Sequence, residues 1–267
     1  MINALVAAIQ MVSGPRVPDN LAAAAELVAE AAAGGARLVV LPEYFPIIGA
    51  ADGERLRARE TFGDGPVQTW LAETARRHGI WLVAGSIPLR AEARRKMRNS
   101  LLAYDPAGRC VARYDKIHLF GFESGSERYD EALFIEAGDA PQVLATPFGR
   151  VALSICYDLR FPELYRQLGE IDLILLPAAF TETTGRAHWE VLLRARAIEN
   201  QCYVLAAGQG GTHENGRQTH GNSMIVCPWG EILARRDKGA GVVLAELDHE
   251  RIRQVRTSLP ALKHRKL

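Results

Sequence analysis

LVVLPEYF, residues Leu38–Phe45, is echoed by LILLPAAF, residues Leu173–Phe180. Each is a run of branched apolar residues that meets a proline, the pattern of a short strand buried on both faces of a sheet. The echo spreads outward. WLVAGS (Trp81–Ser86) has a counterpart in YVLAAG (Tyr203–Gly208), and NSLLAYDPAGRCVARYDK (Asn99–Lys116) in NSMIVCPWGEILARRDK (Asn222–Lys238), one residue shorter before the turn. Two similar α/β halves follow from this, and each must bury its helical covering against a sheet. The expected fold is α/β: a doubled sheet packed face to face with helices outside, a four-layer α-β-β-α sandwich with an internal pseudo-repeat. No Pro/Gly/Ser-rich linker parts the halves, so residues 1–267 are expected to form a single domain.

Between the echoes the periodicity alternates. ALVAAIQ (Ala4–Gln10) is strand-like, and Pro18-Asp19 opens a helix whose Leu21, Leu27, Val28 and Ala31 keep helical spacing until Gly34-Gly35. RLVVLPE is a strand ending at Pro42, PVQTWLAETARRHG a helix stopped by Gly79, and WLVAGSI a strand. Asp105-Pro106-Ala107-Gly108 supplies hairpin chemistry, TPFGR a second turn, and Pro162 the start of another helix. HWEVLLRARAIENQ reads as helix, GNSMIV to EILARR as a hairpin, and VVLAELD as the last strand.

Bulk properties exclude several classes. A chain of 267 residues with 48% hydrophobic and 24% charged residues is an ordinary globular protein, and a net charge of +1 gives no field to draw nucleic acid. The basic runs ARRKMR (Ala93–Arg98) and KHRKL read as solvated turn and tail. No apolar run approaches the ~20 residues that span a bilayer, and MINALVAAIQM lacks a basic leader and a cleavage pattern, so no membrane role is expected. Cys110, Cys156, Cys202 and Cys227 have no C-x-x-C spacing and the histidines no H-E-x-x-H, which argues against structural zinc and a disulfide framework and for a reducing, cytoplasmic location.

One cysteine is placed for chemistry. In VALSICYDLRFPELYRQ (Val151–Gln167) an apolar strand runs into Cys156, then a polar turn and a proline-started helix whose positive end is expected to point back at the thiol. The other three lie within a strand or hairpins and read as structural. A thiol nucleophile needs a base and an oxyanion stabiliser. His118 and His188 are candidate bases. So is Glu43, a carboxylate closing a buried strand before Tyr44-Phe45-Pro46, where enclosure favours general-base work. Lys116 is a candidate cation. The echo tests both: Glu43 aligns with Ala178, so strand-end geometry does not demand it, whereas Lys116 aligns with Lys238, which leaves turn chemistry as an alternative.

LPEYF, YDKIHLF and SICYDLRFPE, in that order, resemble the Glu, Lys and Cys motifs of the nitrilase superfamily of carbon–nitrogen hydrolases, over nearly the whole chain. The resemblance implies the α-β-β-α sandwich, dimerisation through helices into a homodimer or higher even-numbered oligomer, and no metal or organic cofactor. It implies Cys156 as nucleophile, Glu43 as general base and acid, and Lys116 with the Tyr157 backbone N–H as oxyanion stabilisers. A second glutamate is implied in GFESGSERYDEALFIEAGD, where Glu131 matches best among Glu123, Glu127, Glu131 and Glu136. FTETTGRAHWEVLLRARAIENQCYVLAAGQGGTHENGRQTHGNSM and LPALKHRKL look most like the branch acting on deaminated glutathione, with the branch acting on 2-oxoglutaramate as the close alternative. Both substrates are small amides with an α-keto carboxylate end, for which Arg160, Thr181, Thr184 and His188 are candidate binders. Asn222 replaces the branch's usual His, and Cys227 an Asp before Pro-Trp-Gly, which bears on the last hairpin. A nucleotide-binding module at GQGGTHENG lacks G-x-G-x-x-G, a serine hydrolase lacks its G-x-S-x-G elbow, and a silent scaffold of the same fold is opposed by the joint presence of Glu43, Lys116 and Cys156.

Overall fold

The structure is a computed structural model that describes residues 2–48, 52–125 and 127–266. The first half contributes β1 (Ala4–Gln10), α1 (Val17–Ala33), β2 (Leu38–Val40), α2 (Asp52–Arg57), α3 (Pro66–His78), β3 (Trp81–Val83), β4 (Ile87–Arg90), β5 (Met97–Tyr104) and β6 (Cys110–Asp115). A small hairpin, β7 (Gly121–Ser124) and β8 (Glu127–Asp130), follows. The second half contains β9 (Gln142–Thr146), β10 (Gly149–Leu153), α4 (Pro162–Gln167), β11 (Leu173–Ala178), α5 (Glu182–Asn200), β12 (Tyr203–Gly208), β13 (Ser223–Val226), β14 (Ile232–Arg236), β15 (Gly241–Leu247) and α6 (His249–Ser258).

The pseudo-repeat is written into the sheets. One runs β15-β1-β2-β3-β5, with β4 and β6 both on β5; the other runs β9-β10-β11-β12-β13-β14. In both, three parallel strands (β1-β2-β3 and β10-β11-β12) are flanked by antiparallel ones. Register aligns the halves residue by residue, because Val6 pairs with Leu38 as Val151 pairs with Leu173.

Alternation along β1 sorts the layers. Val6 and Ala8 join the core shared with Val151, Leu153 and Leu175 of the second sheet, while Ala7 and Ile9 join Ala24, Val28, Leu71 and Ala75 of α1 and α3. On the other outer face, Trp189, Leu193 and Ala197 of α5 pack on the second sheet. The expected four layers are present, and strands buried on both faces explain the unbroken apolar runs.

Differences from the sequence reading have local causes. WLVAGSI breaks after Val83, because Gly85 takes φ +61° and a Cβ there would collide with the carbonyl oxygens of Leu41 and Pro42. The predicted Cys156 strand stops at Leu153, and residues Cys156–Arg160 form a 3-10 turn. α5 starts six residues before HWEVLL, where Thr181 Oγ1 accepts the N–H of Thr184 at 3.3 Å. Helices α2 and α6 and the β7–β8 hairpin were not predicted; α6 buries only Ile252 and Val255 in a charged segment, which leaves little periodic signal. The run ARRKMR is not wholly solvated, since Met97 is buried at the start of β5 and Arg98 pairs with Glu136. No helix among the described residues is long and apolar enough to cross a membrane.

Candidate active site

Segments far apart in sequence converge beyond the ends of β2, β10 and β11. Glu43 follows β2, and its equivalent position lies at the end of β11, so the sandwich sets the two strand ends side by side. Glu43 Oε2 accepts the N–H of Ala179 at 2.8 Å, and its Oε1 accepts from Asn99 Nδ2 at 2.9 Å and from Lys116 Nζ at 3.0 Å. The carboxylate is 2% exposed. Its backbone is braced: Tyr44, at φ +54°, donates its N–H to Ser86 Oγ at 3.0 Å, and Gln209 Nε2 donates to Glu43 O at 3.1 Å.

Lys116 leaves β6 with its N–H on the carbonyl of Asn99 at 2.9 Å. At 1% exposure it is paired twice, with Glu43 and, at 2.7 Å, with Glu131 Oε2. Glu131 Oε2 also accepts the Phe120 N–H at 2.8 Å. Burial alone would lower the ammonium pKa, but Glu131 and Glu43 outweigh it and hold Lys116 well above its ordinary value. Lys116 is therefore a fixed cation.

Cys156 opens the 3-10 turn at φ +50°, a region that non-glycine residues rarely adopt. The residue is 7% exposed and lines a narrow cavity with Phe120, Tyr157, Arg160, Ala179, Phe180, Thr181 and Thr184. Burial and then Glu43 push the thiol pKa well up; Lys116 opposes this, and Glu131 adds to it. Burial and the neighbouring carboxylate side chains thus favour the sulfur keeping its proton. A base must take it, and the carboxylates are the groups in the cluster able to do so.

The turn is locked to the Lys116 segment by Asp158, which sequence reasoning passed over. Its Oδ2 accepts from Tyr114 Oη at 2.7 Å and from the Ile155 N–H at 2.8 Å, and its Oδ1 accepts the His118 N–H at 3.1 Å with His118 Nδ1 at 2.7 Å. His118 also stacks on Phe161, ring centroids 3.7 Å apart. As a candidate base it is corrected: it does not line the Cys156 cavity, and its Nδ1 is held by Asp158. Asn99 was missed too, although it heads the echoed NSLL segment, and Gln209 belongs to a buried network with Ser13 and His213 behind Glu43.

The remaining candidates divide. Arg160 lines the cavity, its guanidinium 5.7 Å and 5.3 Å from the ring centroids of Tyr157 and Phe180. Thr181 and Thr184 line it as well while capping α5. His188 does not line it: the ring is exposed and meets Arg160 Nη1 at 3.2 Å, because its position in α5 faces outward. Tyr157 places its backbone N–H in the first turn of the 3-10 segment, where helical N–H groups lack an intrahelical acceptor. The expectation that the helix from Pro162 serves the thiol is corrected, since α4 has six residues and the turn beginning at Cys156 itself lies between them. Of the other acidic candidates, Glu136 pairs with Arg98, Glu123 is exposed, and the side chain of Glu127 is outside the described residues. Asn222 adopts φ +55°, donates to the carbonyl of His220 at 2.8 Å and accepts from Arg235, a conformation asparagine tolerates. Buried Cys227 closes the β13–β14 turn, its N–H on Glu231 O at 2.9 Å.

Comparison with known proteins identifies the family. A family model described as carbon-nitrogen hydrolase matches residues 5–257. Deaminated glutathione amidase of Synechocystis sp. is 41% identical over 98% of this chain and 97% of its own, and the Homo sapiens protein of that name is 41% identical over 98% and 82%. The crystal structure of the C. elegans NitFhit protein superposes with a TM-score of 0.91 at 39% identity, covering 99% of this chain and 65% of that one. The chain thus spans slightly under two thirds of that larger protein.

Proposed function

The chain belongs to the carbon–nitrogen hydrolase family, and from that premise we propose that it is an amidase working through a Cys156 thioester, with deaminated glutathione as its substrate. The observation that carries the reading is the closed cluster of Glu43, Lys116 and Glu131 whose charges act on a sulfur lining a cavity. Glu43 takes the thiol proton, and the sulfur attacks the amide carbon. The oxyanion is met by the Lys116 ammonium and the Tyr157 N–H. Glu43 returns the proton to the departing nitrogen as the C–N bond breaks, then activates the water that hydrolyses the thioester. Glu131 holds Lys116 together with Glu43. The choice of acyl group is supported by the relatives' names and by Arg160, which offers a planar cation for an α-keto carboxylate while Thr181 and Thr184 add hydroxyls.

The protein works as a homodimer in a reducing, cytoplasmic setting. The dimer is supported by exposed Val191 and Ile198, seven positions apart on one face of α5, continued by Trp229 in the turn packed beside Ile198. The reducing setting is supported by free thiols at Cys110, Cys156, Cys202 and Cys227.

Purified protein offered deaminated glutathione, 2-oxoglutaramate, simple aliphatic amides and nitriles side by side is expected to turn over the first fastest, and Cys156→Ala none. Turnover of nitriles alone sinks the substrate assignment. Electrophile labelling that spreads over cysteines by exposure, with no protection of Cys156 by substrate, identifies a silent scaffold instead.

A further inference from the structure

Phe120 and Glu131 wall a second cavity that Cys156 does not line, enclosing about 280 Å³ and lined also by Arg55, Arg128, Arg217 and Tyr129. Its lining sets three arginines against Asp130 and Glu131. Glu131 is engaged by Lys116, and Asp130 accepts the Ala132 N–H at 3.1 Å. Arg217 stands 5.4 Å from the Tyr129 ring centroid, donates through Nη2 to the carbonyl of Ala179 at 3.2 Å, and keeps a buried Nε without an acceptor. Arg55 lies 5.1 Å from the Tyr44 ring centroid. Arg128 projects from β8 beside Tyr129, and no described ion pair involves Arg128 or Arg217. Forked guanidiniums lining a cavity match a carboxylate.

The cavity adjoins the chemistry directly. Phe120 lines both cavities, and the Ala179 residue that Arg217 holds by its carbonyl gives its N–H to Glu43 and lines the Cys156 cavity. Arg160 occupies the Cys156 side, where the acyl group sits. An amide bound across the sulfur must place its nitrogen substituent elsewhere, and ammonia would need no such room.

We propose that the Arg55–Arg128–Arg217 cavity is the leaving-group subsite, taking a short peptide-like amine that ends in a carboxylate, and that Arg217 and Arg128 determine selectivity for substituted over primary amides. This rests on the amidase reading above. On that reading the cavity receives the cysteinylglycine half of the substrate, whose terminal carboxylate docks on the guanidiniums.

The test compares deaminated glutathione with its C-terminal glycinamide analogue, which lacks the carboxylate charge. Wild type is expected to favour the acid in kcat/KM by about tenfold to a hundredfold, the range of a charge-assisted hydrogen bond. Arg217→Gln and Arg128→Gln should each compress that preference, chiefly through KM. Arg217 braces Ala179, so Arg217→Gln could misfold; Arg128, on an exposed hairpin strand, provides the variant that folds regardless. Equal use of acid and amide by wild type, or an undiminished preference in Arg128→Gln, overturns the proposal. Calorimetry with cysteinylglycine and cysteinylglycinamide reads the subsite without turnover. Should no amide be hydrolysed yet the free acid bind preferentially, the amidase reading and with it the leaving-group role fail, leaving a carboxylate-binding cavity; hydrolysis with binding that shows no preference sinks the subsite alone.

Discussion

Lys116 shows how much one side chain carries. It is buried between two carboxylates, and neither Glu43 nor Glu131 has another cationic side chain among its described hydrogen-bond partners. Lys116→Met should lower kcat by about a hundredfold to a thousandfold, the usual cost of losing one oxyanion donor. It should also destabilise the fold by about 3–5 kcal/mol, because removing one partner strands buried charge. Chemical denaturation and kinetics on the same preparation check both, and a variant of undiminished stability would contradict the ion-pair account. The echoed Lys238 makes the contrast: it lies at the surface against Glu182 and the carbonyl of Thr219. The echo therefore carried no information against Lys116, because equivalent backbone positions need not have equivalent burial.

At the scale of elements, the loop between β12 and β13 braces the site from behind. His213 Nδ1 meets the carbonyl of Ser13 at 2.8 Å and its Nε2 meets Thr219 Oγ1 at 2.9 Å, while Ser13 bonds Gln209 and Gln209 bonds Glu43 O. Burial holds His213 below its ordinary 6.5, and His220 likewise, although Glu182 opposes the shift there. A histidine depressed in the folded state takes up its proton first in the unfolded chain. Stability is complete above 6.5 and falls as pH drops from there toward the folded value, by at most about 1.4 kcal/mol per pH unit per histidine. Urea midpoints are expected to fall between about pH 7.5 and 5.5, and His213→Gln should flatten that slope while lowering the midpoint at the upper pH. An unchanged slope in the variant would remove His213 from this role.

Across the whole molecule, the pseudo-twofold defines two equivalent strand-end clusters and only one is armed. Register sets Met11 opposite the Cys156 position, Ala178 opposite Glu43 and Lys238 opposite Lys116. Each cluster draws on both halves of the chain, so neither half alone could assemble the chemistry. The same scale governs assembly. Val191, 68% exposed on α5, is expected to face its copy in the proposed dimer, and Val191→Asp should yield a monomer in sedimentation at a concentration where wild type is dimeric. A wild-type protein of monomeric mass would end that proposal.

Local patterning sufficed for the paired α/β halves, and short motifs resembling a known family singled out Glu43, Lys116 and Cys156 as candidates, because apolar runs, proline stops and short motifs are encoded by neighbouring residues. Tertiary structure decided what those residues touch. Asn99, Asp158 and Gln209 became functional neighbours only when strand ends from both sheets met, His118 was drawn to Asp158 and His188 to the outer face of α5, and the arginine cavity formed where β8 approached the loop bearing Arg217. Polar contacts between residues distant in the chain leave no periodicity, whereas burial of an apolar face does.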